Sequence, residues 1–463
     1  MTAAPAFAPT DEPSLPLHVV RPETLSDWLA GTGAEWAAWL SATGFKGDLA
    51  DLRLLPGAGG LAGAIIGTGP ASTQNRSRFA LSKAVSALPP GNWHLSGPLS
   101  QEDRTETALG WLLASYRFDA YRPGKPPAVL PRLKLPEGGD GDRLLAMAAG
   151  EFLTRDLINT PANDMGPDEL QAAFFALADQ FGASASAIVG DDLLAQNFPL
   201  IHTVGRASAR APRLLDMRWG TDGPALTLVG KGVCFDTGGL DLKPSSGMLL
   251  MKKDMGGAAT VMGLALMIMR LGLPLRLRVL VPAVENSVSG SAMRPRDILT
   301  SRKGLTVELN NTDAEGRLIL ADALTYACED DGATIISMAT LTGAARVALG
   351  PDLAPFFADD PTMAAAIESG AITGFDPVWR LPFWDAYEPM IEPGIADLDN
   401  APSGGFAGAI TAALFLRRFV NTRRYAHFDI YGHVPADLPG RPKGGGGSGA
   451  RALLQSLPAL LAP

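Results

Sequence analysis

The stretch "ALTLVGKGV" at residues 225–233 is an apolar run closed by glycine and lysine, and it begins the pattern that decides the fold. A helix-forming run follows at about 256–270, and "LRLRVLVPAV" at 275–284 is typical of a second strand. Another helical run at about 314–329 leads into the strand-like "ATIISMATL" at 333–341. This alternation predicts a mostly parallel central sheet flanked by helices. Functional groups of such sheets lie on loops beyond the carboxyl ends of the strands.

The chain has 463 residues, which is long for one domain, so two domains are expected. Residues 121–142 are rich in proline and glycine, which interrupt helices and strands, and this segment is typical of a connector. The expected fold class is therefore α/β. We predict a smaller N-terminal α/β domain over 1–135, a connector and interdomain helix over 136–160, and a larger domain with the mostly parallel sheet over 161–463.

The composition disfavours several classes of protein. A net charge of −9 argues against a protein built to grip nucleic acid, because phosphate binding needs a basic surface. Two cysteines suggest no disulfide framework and fit a reducing, cytoplasmic environment. The N-terminus has prolines and acids where a signal peptide needs a basic start and an apolar core. The uncharged run at 255–269 is shorter than the ~20 residues of a spanning helix, so we expect a buried helix and no membrane partner.

Several common functional motifs are absent or incomplete. "GAGGLA" at 57–62 has the GxGxxA form of a dinucleotide site, but a strand-like run follows it instead of a helix. "GKGVCFDTGG" at 230–239 lacks the GK[ST] ending of a phosphate loop. The chain contains neither an HExxH helix nor a GxSxG nucleophile elbow. The best-known zinc-protease and serine-hydrolase sites are therefore not expected.

Acids and lysines concentrate instead on two strand-to-helix loops, 229–259 and 307–324. Helix capping accounts for Asp313 and Glu315 but leaves Arg317 and two neighbouring asparagines without a role. The candidate ligands on the two loops are Lys231, Asp236, Lys243, Asp254, Asp313 and Glu315. Carboxylates brought together repel and raise one another's pKa unless a multivalent cation lies between them. A carboxylate-rich binuclear metal site, which can lower the pKa of a bridging water, is the best candidate.

Three segments together resemble the leucyl aminopeptidases, the M17 family of cytosol aminopeptidases. They are "NTDAEGRL" at 311–318, "GKGVCFDTGGLDLK" at 230–243 and "KKDMGGAA" at 252–259. The resemblance covers most of the second domain, and the first ~130 residues show no motif that can be placed. It implies that residues 161–463 form a catalytic dinuclear metallopeptidase domain and that the N-terminal domain is non-catalytic.

The resemblance also implies roles for individual residues. One divalent metal ion, Mn or Zn, would be held by Asp236, Asp313 and Glu315. The second ion would be held by Lys231, Asp236, Asp254 and Glu315, so that Asp236 and Glu315 bridge the two. Lys243 would stabilise the oxyanion of the tetrahedral intermediate. Arg317 would hold a bicarbonate ion that serves as general base, because its planar fork suits that anion.

The family resemblance further implies a substrate pocket and an assembly. Met251, Thr340 and Gly343 would line the site for the N-terminal side chain, and Asn311 and Leu341 would lie near the residue that follows. The expected activity is removal of leucine-like N-terminal residues from peptide substrates by a homohexamer. Two alternatives stay open: a dipeptidase such as a cysteinylglycine hydrolase, and an additional DNA-binding role, which the negative charge disfavours.

Overall fold

The structure is a computed structural model that describes residues 2–74, 76–122, 129–330, 332–422 and 424–462. It divides into two compact units, Met1–Phe152 with Ala436–Lys443, and Leu153–Pro435 with Gly444–Pro463. Residues 123–128 of the predicted connector lie outside the described residues. The predicted division gave everything after 161 to one domain, whereas the short segment Ala436–Lys443 belongs with the first unit.

The first unit contains a five-stranded sheet in the order β2-β3-β1-β4-β5, parallel except for the β2–β3 pair. The glycine-rich "GAGGLA" stretch lies at the turn of the β2–β3 hairpin. The strands are β1 (Leu15–Val20), β2 (Leu52–Gly57), β3 (Gly60–Gly67), β4 (Asn92–Ser96) and β5 (Arg132–Leu133). The helices are α1 (Leu25–Ala30), α2 (Ala37–Ala42), α3 (Ala71–Gln74), α4 (Ala84–Ala87), α5 (Gln101–Ala114) and α6 (Gly141–Asn159), the last of which runs into the second unit.

The second unit is built on a nine-stranded sheet in the order β15-β14-β17-β13-β8-β10-β7-β6, with β9 pairing separately with β10. Pairs at its centre are parallel, whereas β14–β17, β10–β7 and β7–β6 are antiparallel. The predicted mostly parallel sheet is therefore confirmed at its centre. Its strands are β6 (Ser184–Val189), β7 (Arg213–Trp219), β8 (Ala225–Gly230), β9 (Gly232–Asp236), β10 (Arg276–Asn286), β13 (Thr334–Ala339), β14 (Ala354–Ala358), β15 (Val378–Leu381) and β17 (Tyr425–Asp429).

Smaller strand pairings and the helices complete this unit. Strands β11 (Ile298–Thr300), β12 (Thr306–Glu308) and β16 (Leu398–Asp399) form one small sheet, and β18 (His433–Val434) pairs with β19 (Gly444–Gly445). The helices are α7 (Pro167–Gln180), α8 (Asp192–Ala195), α9 (Pro199–Gly205), α10 (Ser245–Met248), α11 (Gly256–Arg270), α12 (Gly316–Ala327), α13 (Gly343–Leu349), α14 (Pro361–Thr373), α15 (Gly408–Arg417) and α16 (Ala450–Leu460).

Helix α11 is the buried helix that the sequence predicted, and its bounds match the predicted 256–270. Every residue from Gly256 to Met269 is buried, since the whole helix packs inside the unit and only its end reaches solvent at Arg270. None of the helices in the described ranges has both the length and the apolar character needed to cross a bilayer.

The single strand predicted at 225–233 is instead two strands that meet at Lys231. The register of β8 and β9 along β10 places Lys231 opposite Pro282, which has no N–H to donate. The Lys231 N–H donates to the Met338 carbonyl at 3.0 Å, and its carbonyl accepts the Ala258 N–H at 2.8 Å. Lys231 is therefore fixed between the end of β13 and the start of α11.

Candidate metal centre

The predicted site residues gather at the carboxyl ends of the central strands. Asp236 is the last residue of β9, Thr340 directly follows β13, and Asp254 lies in the 3-10 turn Met251–Met255 that precedes α11. Glu315 directly precedes the first residue of α12. These positions are where a parallel sheet places its functional groups.

Lys231 joins two of the acids. Its Nζ lies 2.8 Å from Asp254 Oδ2 and 2.9 Å from Glu315 Oε1, and it donates to the Thr340 carbonyl at 3.1 Å. Thr340 in turn donates from Oγ1 to Asp254 Oδ1 at 2.8 Å. Gly316 provides the space for this arrangement, because a Cβ there would lie 2.6 Å from Lys231 Nζ.

Lys243 joins the other two acids. Its Nζ lies 2.9 Å from Asp236 Oδ2 and 2.5 Å from Asp313 Oδ1. The second oxygen of Asp236 accepts hydrogen bonds from the Gly238 N–H and from Asn286 Nδ2, both at 2.9 Å. Gly238 has a φ of +87°, a conformation that glycine adopts without strain, and this turn brings Lys243 back to Asp236.

The donor set fits a divalent cation. Asp236, Asp313 and Glu315 each offer one oxygen, and the three atoms lie within 4.8 Å of one another. Both carboxylate oxygens of Glu315 are buried; Oε1 faces the Lys231 ammonium at 2.9 Å, and Oε2 has no hydrogen-bond partner among the described residues. Buried carboxylates without hydrogen bonds are costly unless a positive charge compensates them, and oxygen-rich sites of this kind accept Mg, Mn or Zn.

The proton affinities of the acids reflect their crowding. Burial, followed by the nearby charge of Asp236, raises the pKa of Glu315 to about 8 and the pKa of Asp313 to about 6. Burial also raises the pKa of Asp254 above its ordinary value, although Lys231 opposes the shift. A divalent cation would reverse these shifts, because it favours the ionised carboxylates.

The two lysines are held by the same charges. Burial alone would lower the pKa of Lys231, but the carboxylates of Asp254, Glu315 and Asp236 outweigh burial and raise the pKa. For Lys243, Asp236 and Asp313 likewise outweigh burial and raise the pKa. Without a metal ion both side chains are therefore ammonium groups, and metal ligation by Lys231 requires the ion to displace a proton.

Arg317 lies one residue into α12 and makes no ion pair with these acids within the described ranges. It is buried, its Nη1 donates to the Asn400 carbonyl, and its Nε has no hydrogen-bond partner among the described residues. Burial lowers its pKa to about 10, although nearby Glu315 opposes the shift. A buried guanidinium with an unused N–H donor can bind a small anion.

The predicted pocket residues lie on the same loops and helix starts as this cluster or directly after them. Met251 begins the turn that carries Asp254, and Gly343 is the exposed first residue of α13. Asn311 accepts the Asp313 N–H on its Oδ1 at 2.8 Å, so it shapes the turn before α12. The Leu341 N–H donates to Oδ1 of Asp429, the last residue of β17, at 3.0 Å.

Comparisons with known protein families and solved structures show which family the chain belongs to. The cytosol aminopeptidase family, catalytic domain, matches residues 152–454, and the M17 aminopeptidase N-terminal domain matches residues 15–136. The chain belongs to the cytosol aminopeptidase family. This membership makes it a hydrolase of the peptidase class that removes N-terminal residues.

Individual relatives cover more than four-fifths of the aminopeptidase chain. A probable cytosol aminopeptidase of Syntrophotalea carbinolica is 41% identical over 400 residues, which is 82% of this chain and 78% of the relative. The crystal structure of a cytosol aminopeptidase from Coxiella burnetii has a TM-score of 0.92 and 42% identity, covering 98% of this chain and 99% of that one. The bottromycin maturation enzyme BotP in complex with Mn has a TM-score of 0.87 and 31% identity, covering 97% and 100%.

Sequence reasoning missed several residues of this aminopeptidase that hold the predicted site residues and their loops in place. Asn286 ends β10 and fixes Asp236, and Asp429 ends β17 and accepts the Leu341 and Thr342 N–H groups at 3.0 Å. Burial raises the pKa of Asp429 to about 6, although its hydrogen bonds from this loop oppose the shift. Each is a polar residue at the carboxyl end of a central strand, and this position was a signal available in the sequence.

A further missed residue, Asn400, holds the turn before α12. Its Oδ1 accepts the Asn310 N–H at 2.8 Å, and its Nδ2 donates to the Asn311 carbonyl at 2.7 Å. Its own carbonyl accepts Nη1 of Arg317. This partner of the two asparagines lies about 90 residues downstream, so no local pattern could reveal it.

Proposed function

We propose that the chain is a metal-dependent aminopeptidase that uses two divalent ions, Mn or Zn, and prefers leucine-like N-terminal residues of peptides. The observation that carries the proposal is the buried cluster of acids around Lys231 and Lys243 in a member of this family. The presence of Mn in the similar BotP structure supports metal dependence. Bound ions would polarise the scissile carbonyl and lower the pKa of the attacking water.

The ligands divide into two overlapping sets. Asp236, Asp313 and Glu315 would hold one ion, in keeping with the 4.8 Å limit on their oxygen separations. Lys231, Asp236, Asp254 and Glu315 would hold the other, and the short Lys231 contacts to two of these acids support that grouping. The amine of Lys231 binds only after losing its proton, so metal binding should release protons and should weaken as the pH falls.

Lys243 is the group that we assign to oxyanion stabilisation. Its raised pKa keeps it a cation at neutral pH, and it reaches the acid cluster from a loop opposite Lys231. A fixed positive charge at the reacting carbonyl stabilises the negative charge that develops in the transition state. Lys243→Met should therefore lower kcat by roughly 100-fold, the size measured for loss of one oxyanion donor.

Arg317 is the residue that we assign to binding bicarbonate, the proposed general base. Its burial supports a small-anion site, as does its Nε, which has no hydrogen-bond partner among the described residues. Arg317→Lys keeps the charge but loses the planar fork, so kcat should fall and stimulation by added bicarbonate should disappear. If Arg317→Lys retains both the wild-type kcat and the bicarbonate response, this role is rejected.

The proposed substrate pocket is formed by residues close in the chain to the proposed metal site. Met251, Thr340 and Gly343 would contact the N-terminal side chain, and Asn311 and Leu341 would contact the next residue. The Thr340 side chain donates a hydrogen bond to Asp254, a proposed metal ligand, so Thr340 lies beside the proposed reaction site. Leu341 directly follows Thr340. The apolar Met251 and the open space at Gly343 suit a leucine-like side chain.

The function is tested with a panel of aminoacyl p-nitroanilides and dipeptides, including cysteinylglycine. The protein is stripped of metal and assayed before and after addition of Mn or Zn. Hydrolysis is expected only with metal and only for substrates with a free amino end. Equal cleavage of N-acetylated peptides would contradict an aminopeptidase.

A variant pair tests the ligand assignment. Asp254→Ala removes an acid from the cluster, whereas Asp222→Ala removes one from an exposed turn and serves as the control. Asp254→Ala should lose at least one bound ion per chain, measured by elemental analysis, together with most of its activity. Full activity and two bound ions in Asp254→Ala would reject Asp254 as a ligand.

We also propose a homohexameric, cytoplasmic protein, as the family resemblance implies. Leu249, Val347 and Phe406 expose most of their apolar side chains, and a partner subunit would give these surfaces a role. Light scattering coupled to size-exclusion chromatography tests the assembly. A monomer at micromolar concentration would contradict it.

A further inference from the structure

Two cations contact one aromatic ring in the second unit. Lys253 Nζ lies 5.0 Å from the centre of the Tyr431 ring, and the Arg346 guanidinium carbon lies 5.4 Å from the same centre. A tyrosine ring attracts cations through the negative charge of its face. Two like charges on one ring nevertheless repel each other, so the arrangement favours an anion nearby.

Lys253 has no acidic partner among the residues that the structure describes. It is only 7% exposed, yet it forms neither an ion pair nor a side-chain hydrogen bond within the described ranges. The neighbouring Asp254 is committed to Lys231 and Thr340. Asp429 is committed to the loop after β13. A buried ammonium without an ion pair of its own is costly, so a carboxylate brought next to it would be stabilised.

This cluster adjoins the predicted pocket for the N-terminal side chain. Lys253 lies in the same short turn as Met251. Gly432, which follows Tyr431, packs so closely on Thr340 that an added Cβ would lie 2.9 Å from Thr340 Cγ2. The same added Cβ would lie 3.5 Å from the Lys253 carbonyl oxygen, so Gly432, the Thr340 side chain and the turn that contains Met251 and Lys253 lie together.

Arg346 reaches the Tyr431 ring from α13. It lies three residues after Gly343 in α13, and residues at this spacing share one face of a helix. It is exposed, and it forms no ion pair within the described ranges. Its charge is therefore free to act on a bound substrate.

We propose that Lys253 and Arg346, held against Tyr431, border the pocket for the substrate's N-terminal side chain and favour an acidic side chain over a basic one there. This inference rests on the proposed aminopeptidase function. The apolar parts of the pocket still accept leucine, and the two cations decide between glutamate and lysine. The substrate class added is peptides that begin with glutamate or aspartate.

The expected change in selectivity depends on how far Arg346 and Lys253 are exposed to solvent. A solvent-exposed ion pair contributes up to about 1 kcal/mol, so Arg346→Met should lower the glutamate-to-lysine ratio of kcat/KM roughly fivefold. Arg346→Glu replaces attraction by repulsion and should lower the ratio further, to a preference for lysine. Lys253→Met should have the larger effect of the two neutral variants, because Lys253 is buried and less screened.

The experiment compares glutamyl-, lysyl- and leucyl-p-nitroanilide in the Mn-loaded full chain. Arg270→Gln is the matched control, because it removes an exposed arginine at the far end of α11, about 20 Å along the helix from Gly256. The glutamate-to-lysine ratio within each variant cancels any general loss of activity. We expect a ratio above one for the wild type and Arg270→Gln, and the decreases given above for the pocket variants.

The outcomes separate this inference from the proposed function. If leucyl-p-nitroanilide is cleaved but the glutamate-to-lysine ratio is the same in all variants, the selectivity inference is overturned and the aminopeptidase function stands. If no substrate is cleaved, the proposed function fails. Calorimetric binding of glutamyl-alanine and lysyl-alanine to the Mn-loaded protein then decides the inference, because tighter binding of glutamyl-alanine that is lost in Arg346→Glu supports it and equal binding overturns it.

Discussion

Replacing Gly316 by alanine tests how tightly the candidate metal centre is built. A Cβ at this position would lie 2.5 Å from Lys231 Cε and 2.6 Å from Lys231 Nζ. Normal contacts between such atoms are close to 4 Å, so the lysine side chain must move by roughly 1 Å. Lys231 is 3% exposed, and its short contacts to Asp254 and Glu315 cannot both survive that displacement.

The expected magnitudes separate the effect on the site from the effect on folding. Alanine favours a helix over glycine by about 1 kcal/mol, and overpacking a core costs about 1–3 kcal/mol, so Gly316→Ala should lower the free energy of unfolding by about 0–2 kcal/mol. The affinity for metal should be reduced more strongly than the free energy of unfolding. Displacing a group that orients ligands typically weakens metal binding by about 10- to 100-fold.

The assay combines calorimetric Mn titration with urea unfolding of the metal-free protein. Gly343→Ala is the stability control, since it also begins a helix but would meet nothing within 4 Å. In a Lys231→Ala background the same Gly316→Ala change should have almost no further effect on Mn binding, because the clashing side chain is gone. If Gly316→Ala binds Mn with wild-type affinity and raises the free energy of unfolding as an alanine in an unconstrained helix does, Gly316 is not needed to make room for Lys231.

Three further predictions concern α12, the end of β17 and the turn after β9. Burial raises the pKa of Asp322 to about 7 despite hydrogen bonds from the Arg302 and Leu200 N–H groups. Between about pH 4 and pH 7 the carboxyl is therefore protonated in the folded chain and ionised in the unfolded chain. The contribution of Asp322 to the free energy of unfolding falls as the pH rises through this range. Asp322→Asn should therefore destabilise by about 1–3 kcal/mol at pH 5 and by less at pH 8 in urea unfolding; a larger loss at pH 8 contradicts this. Asp429→Ala should cost about 2 kcal/mol and raise KM, whereas Asp429→Asn keeps an acceptor for the loop and should cost less than half as much; equal losses would count against the loop-holding role. Gly238 has a φ of +87°, and an added Cβ would lie 2.5 Å from the Asp241 carbonyl oxygen, so Gly238→Ala should strain this turn and weaken Mn binding. Unchanged Mn affinity in calorimetry would count against this turn as a support of the centre.

Local pattern was sufficient for the elements that carry the site. The uncharged run that ends at Arg270 predicted α11 with its observed bounds, because its apolar residues extend around the whole helix and the charges mark its ends. Similarly, the helix predicted at 314–329 is observed as Gly316–Ala327, and the strand predicted at 333–341 is observed as Thr334–Ala339. Asn311 to Arg317 formed a recognisable motif because the site is built from one continuous turn there.

Other features depend on contacts between distant parts of the chain. The break at Lys231 is imposed by Met338 and Pro282, which a strand-like apolar run does not reveal. The antiparallel edge strands of the large sheet have the same apolar character as the parallel ones, so composition could not separate them. Asn400 supports the turn from about 90 residues away, and only the folded structure shows that it does.

We propose that side chains far apart in sequence converge to hold two neighbouring divalent ions. An anomalous-scattering map from crystals of the protein soaked in Mn²⁺ shows directly whether they do. Two peaks per chain are expected, one among Asp236, Asp313 and Glu315 and the other beside Lys231 and Asp254. A map without peaks in this cluster, measured from crystals that bind Mn²⁺ elsewhere, would rule out a metal centre formed by these residues.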